Sequence, residues 1–188
     1  MLTSLAVFLI ASVLLGATLG FYLFSFLGTA RRFSGARVVT CPETKRPAGV
    51  RLRAFRAAAE KLFGTRRLEL GECTRWPERE GCGQECLKEI EGAPDGCLVK
   101  SLVTRFYEGK ACAVCGKPFT TASLGDHRPA LLSPERVTTQ WQEIPVEELP
   151  ERLATHRPVC WDCHVVETLA RKHPELVTVR PPRPTVQL

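Results

Sequence analysis

The first 27 residues of this 188-residue chain contain no charged side chain. All 26 basic and all 20 acidic residues therefore lie in the remaining part, which carries the formal net charge of +6. The length suggests one or two small domains. A basic balance permits an acidic partner, either nucleic acid or anionic lipid, but a solvated surface with charges flanking a membrane segment is the simpler explanation, so nucleic acid is not the favoured partner.

No basic residue precedes the apolar run at residues 5–27, because the chain begins Met1-Leu2-Thr3-Ser4. A cleavable signal peptide would need a basic segment first and small residues at its cleavage site, whereas residues 21–26 are bulky. The run is long enough to cross a hydrocarbon core of about 30 Å as a helix. We therefore predict a short N-terminus at 1–4 and a retained transmembrane helix at 5–27.

Basic residues follow this run at once, at Arg31, Arg32 and Arg37. The positive-inside rule then predicts an inner-membrane protein with its N-terminus outside and its C-terminal domain in the cytoplasm. We expect residues 28–37 to form a basic juxtamembrane linker that holds these arginines near the lipid headgroups of the bilayer.

Small residues repeat every four positions inside the apolar run, at Ser12, Gly16 and Gly20. Such a face lets two membrane helices approach closely, which makes a homodimer through these residues one hypothesis. Glycine and serine are also common in membrane helices without any such role.

Short periodic segments after the linker predict a small cysteine-containing α+β unit over residues 38–107. Gly64 stands where a helix C-cap is preferred, and the segment 93–96 has the composition of a turn. The predicted strands are 38–40, 50–52 and 67–70, and the predicted helices are 53–63, 84–90 and 97–107.

Four cysteines of this unit lie beside turns and strand ends, where metal ligands are often found: Cys41, Cys73, Cys82 and Cys86. A reducing cytoplasm disfavours disulfides, so a second zinc or an iron–sulfur cluster is one interpretation. Their spacing matches no established ligand motif. Buried thiols that pack as small hydrophobes are the alternative, and two disulfides become the better interpretation if the membrane topology is reversed.

Two Cys-x-x-Cys pairs, Cys112/Cys115 and Cys160/Cys163, are separated by 44 residues. Two cysteines at this spacing can bind one metal ion from a tight turn. Gly116 would relieve the backbone strain of the first turn. Two such pairs predict one tetrahedral structural metal site that links distant segments of the chain. Zinc is the preferred ion, ahead of iron.

Between and after these pairs the pattern predicts strands at 129–132 and 137–141 and a helix at 165–172. We expect Val166, Leu169 and Ala170 to face inward. The order of knuckle, β-hairpin, knuckle and helix predicts a treble-clef-type zinc finger over residues 108–173. The proline-rich end of the chain, 174–188, is expected to be extended and disordered.

The segment 112–172 also resembles the HNH endonuclease finger, through Cys112-x-x-Cys115, Asp126-His127-x-Pro129 and Cys163-His164. That resemblance implies His127 as the general base, with Asp126 and His164 binding a magnesium- or manganese-type ion. The chain lacks the family's middle asparagine, since it contains no asparagine at all, and it lacks the usual Gly-Gly. An inherited finger without nuclease activity is therefore the favoured form of this hypothesis.

A third interpretation rests on Cys160-Trp161-Asp162-Cys163-His164, which also fits the attachment pattern of c-type haem. His164 would then bind the iron in an electron carrier, with His127, His156 or His173 opposite. Covalent haem requires the soluble part to lie outside the cytoplasm. The arginines after the apolar run argue against that location, so haem is disfavoured.

The whole chain resembles uncharacterised bacterial single-pass membrane proteins rich in cysteine, through residues 73–79 and 82–86 among others. That resemblance implies an architecture and no activity. We therefore predict a non-enzymatic, zinc-stabilised interaction or scaffold module, which binds another membrane or cytoplasmic protein at the bilayer.

Overall fold

The first element, helix α1, spans Leu2–Phe33 and continues six residues past the predicted end of the membrane segment. The computed structural model describes residues 2–62, 64, 67–76, 78–79, 81–120 and 129–176. Within them, Val7–Phe33 is long and apolar enough to cross a membrane. A signal sequence has the same properties, so the retained anchor and its orientation stay predictions.

The last turns of α1 are covered by helix α2, Ala54–Leu62. The amino group of Lys61 donates a hydrogen bond of 3.2 Å to the hydroxyl of Thr29, and Thr29 is buried. The rings of Phe26 and Phe55 lie 6.3 Å apart. The helix continues past the apolar run because its polar C-terminal end packs against helix α2.

Arg37 does not reach lipid headgroups as expected, because its side chain is fully buried. It lies in strand β1, Ala36–Thr40, and turns back onto the end of α1. Gly35, at φ +100°, reverses the chain between the helix and the strand. Of the three arginines in the predicted linker, Arg31 and Arg32 are exposed.

Strand β1 forms an antiparallel sheet with β2, Pro47–Leu52, and β3, Leu70–Cys73, in that order. Val39, Val50 and Leu70 pack under it with Ile90 from the next helix. We predicted this third strand at residues 67–70, but it spans Leu70–Cys73, because Leu70 pairs with Leu52 and Cys73 with Val50. Helix α3 spans Leu87–Gly92.

Helix α4, Val99–Tyr107, connects this sheet to the second one. Val103 and Phe106 pack with Leu131 and Leu149 in a second apolar cluster. The hydroxyl of Tyr107 donates a hydrogen bond of 2.8 Å to the carbonyl oxygen of Ala130.

The predicted hairpin is confirmed: strands β4, Ala130–Leu132, and β5, Thr138–Gln140, pair antiparallel. The sequence patterns missed a third strand, β6, Arg157–Val159, on the other side of β4. They also missed helix α5, Leu149–Thr155. The chain is therefore mixed α+β, with one long apolar helix and small sheets.

Helix α6, Trp161–Lys172, follows β6 after one residue. Our expectation that Val166 and Leu169 face inward is wrong, since they are 60% and 51% exposed, whereas Ala170 is half-buried. The opposite side faces the sheet, with His164 buried and the hydroxyls of Thr168 and Thr138 3.3 Å apart. Short 3-10 turns lie at Trp141–Glu143 and Pro174–Leu176.

Candidate metal centre

The first Cys-x-x-Cys pair lies in a tight turn after helix α4. The backbone amide of Gly116 donates to the carbonyl of Cys112 at 2.9 Å, and the amide of Cys112 donates to the carbonyl of Lys117 at 2.9 Å. Gly116 has φ +74°, a left-handed conformation that costs glycine little because it lacks a Cβ. The turn thus has the geometry expected of a metal-binding knuckle.

The second pair lies at the junction of β6 and α6. Cys160 has an extended backbone and stands at the N-cap of α6, so Cys163 follows one turn into the helix. The amide of Ala113 donates to the carbonyl of Pro158 at 2.8 Å. This bond fastens the first knuckle to the strand that delivers the second pair.

The four sulfur atoms converge on one point. Those of Cys112, Cys115, Cys160 and Cys163 all lie within 4.8 Å of one another. The Cys115 and Cys160 sulfurs are 3.8 Å apart, and a tetrahedron with metal–sulfur bonds of 2.3 Å has an edge of about 3.8 Å. The donor set therefore fits one thiophilic ion such as zinc. Within the described part of the chain, it is the single group of three or more ligand atoms packed this closely.

The site has an inner and an outer side. Cys112 is 2% exposed, while Cys115 lies at the surface. Burial raises the pKa of the Cys112 thiol, but backbone N–H groups of Cys115, Cys160 and Val114 stabilise its thiolate, and the net result is a pKa of about 7.

The two thiols on the side of helix α6 have raised rather than lowered pKa values. Burial raises the pKa of Cys160 to about 11, and burial together with neighbouring sulfurs raises the pKa of Cys163 further. Four thiolates this close repel one another. A bound cation removes that repulsion, which couples ion binding to the loss of thiol protons.

His164 lies directly after Cys163 but does not belong to the converging set among the described residues. Its side chain is buried, with Nδ1 3.5 Å from the Thr168 hydroxyl and its ring 5.6 Å from that of Trp161. Burial lowers its pKa, so the ring is held in the neutral form. Its contacts are those of a packing residue.

Two proposed catalytic residues, Asp126 and His127, lie outside the described residues, so the nuclease constellation stays a prediction. The haem interpretation needs Cys160 and Cys163 for covalent attachment. Both sulfurs instead converge with those of Cys112 and Cys115.

The second cysteine group is arranged differently. Cys41, Cys73, Cys82 and Cys86 all line one cavity of about 240 Å³. Among the described residues they do not form a set of three or more sulfurs within 4.8 Å. Cys97, the ninth cysteine, does not line this cavity; it is buried in the apolar cluster against which Cys41, Cys73 and Cys86 pack, and its thiol donates to the carbonyl of Ala93 at 3.4 Å.

Backbone groups that complete the metal centre were not predicted. The amides of Val114 and Cys160 and the strand β6 support the sulfurs, but every residue type except proline carries such an amide. The segment Arg157-Pro158-Val159 is too short for a periodic pattern, so the sequence held no signal for it.

Comparison of the chain with protein-family models, with curated protein sequences and with solved structures gave no match. The resemblance to the HNH finger and to bacterial membrane proteins therefore stays a prediction. The knuckle, hairpin, knuckle and helix occur in the predicted order, but a treble-clef fold is not confirmed.

Proposed function

We propose that this chain is a membrane-anchored zinc protein that acts as a non-enzymatic interaction module. The observation that carries the proposal is the convergence of the Cys112, Cys115, Cys160 and Cys163 sulfurs within 4.8 Å. Four protein ligands fill a tetrahedral ion, which leaves no position for water or substrate, as is typical of structural zinc. The ion would hold the β6–α6 junction against the knuckle after α4.

The outer side of α6 supports the interaction role. Val166 and Leu169 are more than half exposed and stand three residues apart, so their side chains are neighbours on the helix surface. Zinc would fix the helix that carries them. We propose that a membrane or cytoplasmic protein binds this surface.

The proposed location is the inner membrane, with α1 as anchor and the cysteine-containing units in the cytoplasm. Arg31 and Arg32 support this orientation, since both are exposed directly after the apolar part of α1. A reporter that is active only in the cytoplasm, fused to the C-terminus, should be active. If that reporter is inactive, and a reporter that works only in the periplasm is active at the same position, the proposed orientation is wrong. The haem and disulfide hypotheses would then be open again.

Metal analysis of the full-length chain in detergent tests the zinc centre itself. We expect about one tightly bound zinc associated with the Cys112 group, lost in Cys115→Ser and retained in the control Cys97→Ser. A haem absorption band that depends on Cys160 and Cys163 would overturn the zinc assignment. Divalent-ion-dependent DNA cleavage that is lost in His127→Ala would overturn the non-enzymatic role.

A further inference from the structure

A second cysteine cavity opens beside the first sheet and is lined by residues of β1, β2 and β3. Its volume is about 240 Å³, and three segments of the chain contribute four cysteines to its wall. Cys41 follows β1, Cys73 ends β3, Cys82 lies in the loop after β3, and Cys86 precedes α3.

Local hydrogen bonds hold each of these segments in place. The amide of Cys41 donates to the carbonyl of Arg46 at 2.9 Å, closing a tight turn. The amide of Trp76 donates to the carbonyl of Cys73 at 3.1 Å. The loop between Cys82 and Cys86 is fastened to β3, because the amide of Leu70 donates to the side-chain oxygen of Gln84 at 3.1 Å.

The wall combines an apolar base with charged groups of both signs, since Glu43 and Glu85 line it together with Arg75 and Arg79. Val39, Val50, Leu70 and Trp76 line the base. Arg75 lines it as well, and among the described residues its Nε atom is buried without a hydrogen-bond partner. A buried donor without an acceptor is unfavourable, so such an atom indicates a missing acceptor.

The two cysteine groups differ in a way that distinguishes their ligands. At the Cys112 centre the sulfurs are as close as one tetrahedral ion requires. At the second group four cysteines line an open cavity, and among the described residues no three of their sulfurs lie within 4.8 Å of one another, as one ion bound at about 2.3 Å would require. In an iron–sulfur cluster the cysteines bind different irons, which sets them farther apart, and inorganic sulfides fill the middle.

We propose that this cavity binds an iron–sulfur cluster, with Cys41, Cys73, Cys82 and Cys86 as its ligands and Arg75 as a donor to one of its sulfur atoms. Each cysteine loses its thiol proton when it binds iron, and the iron and sulfide are supplied during assembly. The proposal does not depend on the zinc centre and stands if that centre fails.

The test uses the full-length chain, produced in iron-supplemented cells and purified in detergent without oxygen. We expect iron and acid-labile sulfide in equal amounts, with a broad visible absorption that bleaches on chemical reduction. Iron should fall at least tenfold in Cys73→Ser and in Cys86→Ser. Cys97→Ser, a matched control outside both groups, should keep its iron, and so should Cys115→Ser, which removes a zinc ligand.

Zinc content separates loss of the cluster from loss of the fold. Cys73→Ser and Cys86→Ser should keep the zinc of the Cys112 centre while they lose iron. Arg75→Gln should keep iron and sulfide but shift the reduction potential, because hydrogen bonds to the sulfurs set it.

Three results would overturn the proposal. The first is a wild-type chain without iron or sulfide even after anaerobic reconstitution with both. The second is a chain with two zinc ions and no iron. The third is iron that is retained equally in Cys73→Ser.

Discussion

The backbone amide of Cys160 donates a hydrogen bond of 3.3 Å to the sulfur of Cys112, 48 positions earlier in the chain. Because Cys160 is the N-cap of α6, the amide end of that helix faces the buried cysteine. Helix N-termini carry a partial positive charge that stabilises thiolates. The first knuckle and the last helix are thus joined electrostatically as well as through the proposed ion.

This relationship predicts how the stability of the metal-free chain depends on pH. The folded-state pKa of Cys112, about 7, lies below the ordinary value of 9.0. A group with a lowered pKa contributes stability that is complete above the ordinary value and is lost as pH falls through the folded value. We therefore expect the metal-free wild type to lose stability between pH 9 and pH 7 relative to Cys112→Ser.

The measurement is thermal unfolding of both chains in detergent and chelator at pH 6, 7, 8 and 9. The difference in stability between the two chains at each pH reports the contribution of the Cys112 thiol. Parallel curves at every pH would contradict the lowered pKa.

Tyr107→Phe tests the bond that connects α4 to β4. Removing the hydroxyl leaves the buried carbonyl of Ala130 without its 2.8 Å donor, which should cost roughly 1–3 kcal/mol of unfolding free energy. The matched control is Tyr22→Phe, since Tyr22 is the other tyrosine and is exposed on α1. Thermal unfolding should separate the two variants, and equal midpoints would show that the bond contributes nothing.

Replacement of Arg37 should destabilise the end of helix α1. Its guanidinium donates to the carbonyls of Phe33 at 2.9 Å, Gly35 at 3.2 Å and Arg32 at 2.7 Å, where a helix leaves its carbonyls unpaired. Arg37→Met should destabilise the chain by about 1.5–3 kcal/mol or more, whereas Arg32→Met, at an exposed side chain, should change little.

Hydrogen–deuterium exchange of the amides near Ser34 provides the specific measurement for Arg37→Met. The amide of Ser34 donates to the carbonyl of Ala30 in the last turn of α1 at 2.9 Å. Faster exchange confined to this turn would support the capping role. Unchanged exchange, together with unchanged stability, would contradict it.

The small residues of α1 give a test of self-association. Within the described part of the chain, a Cβ added at Gly16 or Gly20 would meet no atom within 4 Å. Gly16→Ile should therefore leave the monomer intact and weaken any dimer formed through the Ser12, Gly16 and Gly20 face. Cross-linking in membranes should detect the loss, with Leu15→Ile as the control, and a dimer that survives Gly16→Ile would exclude this face.

Much of the fold follows from local patterns. The apolar run predicted α1, alternation predicted the β4–β5 hairpin, and the helix after Cys160 was expected. The errors lie where packing overrides the local pattern. Strand β3 shifted because Leu70 pairs with Leu52, and the exposed side of α6 was misassigned because His164 and Thr168, rather than Val166 and Leu169, face the sheet.

The sequence alone determined the donor chemistry, because two Cys-x-x-Cys turns supply four thiols at a spacing typical of one tetrahedral metal site. Tertiary structure decided which cysteines converge and how far apart they stand, since those distances depend on strand pairing across segments distant in the chain. It placed the Cys112 group at the spacing of one ion and the Cys41 group around an open volume. It also made Arg37 a cap of α1 rather than the expected lipid contact, because the buried guanidinium donates to three backbone carbonyls at the end of that helix.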